Sequence, residues 1–71
     1  AKLEEILSKI GNNIKVLRVA KGISKQDLAN LASVDIAFIS TIENGKRNFS
    51  ISVLHKIAQS LDTNITDIFN N

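Results

Sequence analysis

Two short apolar patterns of helical period, parted by only three residues, constrain this chain more than any other feature. They lie between Ser24 and Arg47, in SKQDLANLASVDIAFISTIENGKR. Ser24 is a good N-cap, and Asp27 places negative charge at the positive end of the helix dipole. Leu28, Leu31 and Ala32 then recur at helical spacing. Ser33-Val34-Asp35 breaks the pattern, and Asp35 is expected to cap a second helix by accepting backbone N–H bonds. In that second helix Ile39 and Ile42 point inward, while Ile36, Ala37, Ser40, Thr41 and Asn44 share the outer face. Asn44-Gly45 supplies the left-handed residue that ends it.

Two short helices, a tight turn and an exposed second-helix face make a helix-turn-helix, an element suited to placing one helix in a DNA groove. The stretch KGISKQDLANLASVDIAFISTIENGKRN resembles the helix-turn-helix of the phage-repressor family, the lambda-repressor-like, Cro-type proteins. Within that family it looks most like the small controller proteins of restriction–modification operons. The resemblance extends over residues 10 to 69, nearly the whole chain. Its most specific part is Ile39-Ser40-x-Ile42-Glu43-x-Gly45-x-Arg47-Asn48, with Leu28-Ala29 upstream. It implies an all-α, five-helix lambda-repressor-like DNA-binding domain that works as a homodimer on a pseudo-palindromic operator. It also implies that Arg18 pairs with Glu43, tying the first helix to the third, and that residues 1–9 are an N-terminal helical extension.

A chain of 71 residues reads as a single domain, 1–71, and one this small buries only about 60% of its extended surface. Without cysteine it has neither disulfide nor thiolate site, and the lone His55 cannot build a metal centre. Helix packing, aided by dimerisation, is left to hold it together. No paired carboxylates, activated nucleophile or phosphate loop occur, so no enzymatic activity is expected, and no cofactor, metal or small-molecule ligand. No apolar run approaches the roughly 20 residues that span a bilayer. Glu4 and Glu5 interrupt the first apolar residues, unlike a signal peptide, so the expected location is cytoplasmic, away from membranes. Asn48-Phe49-Ser50 and Asn64-Ile65-Thr66 fit the glycosylation pattern, which without a secretion signal is read as chance.

The helices around the motif are legible from their stripes. Leu3, Ile6, Leu7, Ile10, Ile14 and Leu17 run at helical spacing, with a weak point at Gly11-Asn12-Asn13. Lys21-Gly22 closes this helix. After the motif, Ser50 or Ser52 can cap a helix carrying Ile51, Leu54, Ile57, Ala58 and Leu61, with His55 off the stripe. Thr66 is expected to cap a last short helix. Ile65, Ile68 and Phe69 cannot all enter so small a core, and apolar patches left exposed mark interfaces. These three are the expected dimer contacts, since the resembled family dimerises through this end.

Net charge is only +2, but its distribution is informative. Lys9, Lys15, Arg18, Lys21 and Lys25 fall within the first 25 residues, Lys46 and Arg47 follow the motif, and no base occurs after Lys56. The expected partner is double-stranded DNA. Lys25, with Gln26 beside it, stands where the family often bonds a phosphate through glutamine. Ile36 and Ala37 replace the arginine and threonine common in controller proteins, giving up the bidentate arginine–guanine contact. Base reading is then expected from apolar contacts of Ile36 and Ala37, from Ser40, Thr41 and Arg47, and from the bending of DNA between half-sites. Asn44 is expected as a further DNA-binding residue on the same outer face. Phe38 aligns with an aromatic that flanks the DNA backbone, or else belongs to the core. Lys46, Arg47 and Asn48 can reach phosphates or the groove edge. A controller protein is the expected function. The alternatives are a phage or plasmid repressor, an antitoxin, or a protein-interaction module on the same fold.

Overall fold

The apolar spacings resolve into five helices in the computed structural model, which describes residues 2–70. They are α1 (Lys2–Ala20), α2 (Lys25–Ala32), α3 (Ile36–Glu43), α4 (Ile51–Ser60) and α5 (Ile65–Asn70). No strand occurs among the described residues. α1 runs unbroken through Gly11-Asn12-Asn13, because tertiary contacts outweigh the weak local propensity there. Gly11 is buried against the backbone of α3, and the buried Asn13 donates from Nδ2 to the Ile68 carbonyl.

Caps set most boundaries. Ser24 Oγ accepts from the Asp27 N–H at 3.0 Å, and Ser50 Oγ accepts from Val53 at 3.2 Å. Two expected caps are corrected. Asp35 occupies the N-cap position of α3 but accepts no bond through its side chain. It is exposed, so water can meet the free N–H groups, while its carbonyl accepts from Phe38 and Ile39. Thr66 lies inside α5. Asp67 does the capping, its Oδ2 accepting from the Asn64 N–H and from Thr63 Oγ1, which moves the start of the helix upstream.

The core draws on every helix: Ile10 and Ile14 from α1, Leu28, Ala29 and Ala32 from α2, Ile39 and Ile42 from α3, Leu54, Ile57 and Ala58 from α4, and Ile68 from α5. α3 packs on α1 and α2, α4 covers α2, and α5 closes against α1 and α4. Several stripe members face solvent instead. Leu31 is 60% exposed, because the short α2 turns only Leu28, Ala29 and Ala32 inward. Ile51 opens α4 before that helix reaches the core, and Leu3 and Ile6 lie in turns of α1 that precede its buried residues. Ile68 is corrected as an interface residue: it is 0% exposed within one chain, leaving no surface for a partner. Ile65 is half-buried against the core and Phe69 remains 38% exposed.

Candidate nucleic-acid interface

Three residues, Ser33-Val34-Asp35, join α2 to α3. Ser33 carries the reversal, with φ 59 and ψ 43, and its N–H and that of Val34 both bond back to carbonyls at the end of α2. This is a left-handed helix end built without glycine. α3 then buries Ile39 and Ile42 and turns its opposite side outward. Ile36, Ala37 and Asn44 are exposed there, and Ser40 and Thr41 are half-buried between them. Ile36 thus lies on the outer face, not in the core.

What that face offers chemically is narrower than the residue types suggest. Thr41 Oγ1 donates to the Phe38 carbonyl at 2.8 Å, so its proton is committed within the helix. Its oxygen can still accept, and its methyl can still touch an apolar base edge. Gln26 Nε2 donates to Asn30 Oδ1 on the exposed side of α2. Asn48 Oδ1 accepts from the Phe49 N–H at 2.9 Å, and the residue is exposed. Lys25 heads α2, and Lys46 and Arg47 follow α3, so cationic residues stand before and after the two helices of the motif in the chain.

Phe38 is half-buried, as the core reading expects. One side of its ring packs against the core, and the Arg47 guanidinium lies over the ring at 4.8 Å from its centroid. The stack holds a charged donor group beside Ala37, along the rim of the depression between turn and loop. Nothing in the sequence announces this pairing, because it depends on how the loop after Gly45 returns. Gly45 itself has φ +70, the left-handed value expected at that helix end.

Behind the exposed face stands an ion pair. Arg18 Nε donates to Glu43 Oε2 at 2.8 Å and Nη2 donates to Oε1 at 3.2 Å, a bidentate fork with both residues buried. Arg18 Nη1 also donates to the Ile23 carbonyl at 2.8 Å, a third bond with no counterpart in the residue pattern. One side chain therefore ties α1, the loop before α2, and the last residue of α3. No buried side-chain polar atom among the described residues lacks a partner. Among them there is also no cluster of His, Cys, Asp or Glu able to hold a metal ion, and no helix long and apolar enough to cross a membrane.

Known proteins share this arrangement. The pattern of the helix-turn-helix family matches residues 14–68. The chain is 34% identical over 70 residues to control protein C.MunI from Mycoplasma sp, an alignment covering 97% of this chain and 95% of that protein. It is 39% identical over 62 residues to the regulator SinR from Bacillus licheniformis, where it spans 56% of the relative's length. Its structure is similar to that of the restriction–modification controller protein C.AhdI from Aeromonas hydrophila. That match has a TM-score of 0.87 and 36% identity over 89% of this chain and 96% of the other.

Proposed function

We propose that this chain, which belongs to the helix-turn-helix family of DNA-binding transcriptional regulators, acts as a homodimeric restriction–modification controller protein on a pseudo-palindromic operator. One observation carries the reading. The outer face of α3 is free, Arg47 is stacked beside it, and the opposite side of the helix is locked to α1 through Glu43. A helix held that rigidly can enter a major groove with its side chains in fixed register. The similarity to C.MunI and C.AhdI, which covers nearly all of both proteins, supports the controller role.

A single eight-residue helix reads too little DNA for a specific site. Two copies whose α3 helices lie about 34 Å apart would meet successive major grooves on one face of the duplex. Phe69, with Ile65 beside it, supplies the apolar surface proposed for that pairing. The reading is one of binding without chemistry, in the cytoplasm where the DNA is. In an electrophoretic shift assay the chain should prefer DNA from upstream of its own gene to unrelated duplex by about 10³-fold or more. Equal affinity for both would overturn operator binding. A toxin gene beside it in place of restriction–modification genes would overturn the controller assignment alone.

A further inference from the structure

α1 carries two seams. One is the apolar stripe that enters the core. The other, offset around the helix, carries Ser8, Gly11 and Arg18, and all three meet α3 or the loop that follows it. Arg18 grips Glu43. Gly11 lies so close to the end of α3 that a Cβ there would stand 2.1 Å from the Ile42 carbonyl oxygen and 3.0 Å from that of Glu43. Gly45 approaches α1 in the same manner: a Cβ on it would lie 2.6 Å from Ser8 Oγ and 2.7 Å from Ser8 Cα. The carbonyl end of α3 and the root of the Lys46-Arg47 loop thus rest directly on the backbone of α1.

We infer that Gly11 and Ser8 are positioning residues for DNA readout: they seat the end of α3 at one depth and tilt, so that operator specificity depends on α1, which itself presents nothing to the groove. This rests on the operator-binding reading above. The physical ground is that the contact is backbone against backbone. The Ile42 carbonyl already accepts from the Gly45 N–H at 3.0 Å, so it is fixed by the helix end and cannot swing aside as a side chain would. A methyl group at position 11 must therefore move the helix. The displacement falls on Ile42 to Arg47, the segment that aims Asn44 and Arg47, while Lys25 at the far end of the motif is untouched. The seat also assigns a task to the early turns of α1: Glu4, Leu7 and Ser8 wall one side of a cleft whose other side is Asn44, Gly45 and Lys46.

The test is Gly11→Ala, read against DNA from upstream of the gene and against unrelated duplex of equal length. Alanine ordinarily favours a helix over glycine, so at an open site the change would stabilise the chain. Here the operator affinity should fall at least tenfold and the affinity for unrelated DNA less than threefold, lowering their ratio. Ile57→Val, which weakens the core in α4, should lower the melting temperature and leave the ratio alone. A Gly11→Ala chain that melts lower but keeps the wild-type ratio overturns the inference. Should that variant not fold, Ser8→Leu carries the same test from an exposed position. It should lower the ratio at least threefold with the melting temperature nearly unchanged, and an unaltered ratio overturns the inference. A wild-type chain with no preference between the two DNAs would instead sink the operator reading itself, and this role with it.

Discussion

Replacing Glu43 by alanine removes both oxygens that the Arg18 fork uses, at 2.8 and 3.2 Å, and leaves only the 2.8 Å bond to the Ile23 carbonyl. The Arg18 side chain is 10% exposed and that of Glu43 is 2% exposed, so the stranded guanidinium has little water to turn to. Breaking one partner of such a pair costs about 3–5 kcal/mol. The surviving Ile23 bond and the tenth of exposed surface argue for the lower end, about 3 kcal/mol. For a chain of 71 residues the whole folding stability is roughly 4–10 kcal/mol. The loss is therefore a large fraction of the total, and the melting temperature should fall by about 12–24 °C. Helical circular dichroism during heating measures it. A fall of less than about 4 °C would mean a net contribution below 1 kcal/mol and would refute the argument from burial. A double replacement, Arg18→Met with Glu43→Leu, sharpens the test. It strands no charge, so most of the lost stability should return.

Three further outcomes are expected. Ser33→Gly relieves a left-handed conformation at φ 59 in an exposed turn and should raise the melting temperature by about 2–8 °C; a decrease would mean that the Ser33 side chain stabilises the turn. Lys25→Ala should weaken binding about equally to operator and unrelated DNA and reduce the salt slope by about one unit, as titration at several salt concentrations would report. Phe69→Asp, at a residue 38% exposed, should yield monomers of unchanged helix content by sedimentation and circular dichroism, with operator affinity falling steeply. A monomeric wild type that still binds operator tightly would contradict the dimer.

Helix number and the motif were legible because each depends on local causes: stripes at helical period, Ser24 and Ser50 as caps, Gly45 as a terminator. Arg18 and Glu43 could be paired in advance only through the family pattern, since 25 positions separate them and no local rule joins them. What stayed hidden depended on tertiary placement. Period alone cannot say where a stripe runs past the core, which is why Leu3, Ile6, Leu31 and Ile51 are exposed and Ile68 is not. Gly11 reads as a defect in a helix until the backbone of α3 is found against it. The Phe38–Arg47 stack needs the path of a loop, and the commitment of the Thr41 proton needs the rotamer. Asp35 has the right type and position for a side-chain cap, and its exposure lets water do that work.

α3 and the loop after it are expected to read the operator, and the ratio of operator to unrelated-DNA affinity reports that reading. That ratio should be measured for Ala37→Gln, Thr41→Val and Arg47→Ala beside the wild type. All three positions border the outer face of α3, and none belongs to the buried core. A lost good base contact is worth about 1–3 kcal/mol, so the ratio should fall roughly 5- to 150-fold for any residue that reads a base. Arg47→Ala is expected to lower both the affinity and the ratio, because its guanidinium is held over Phe38 at the edge of that face. If all three variants kept the wild-type ratio, α3 would not be the reader of the operator.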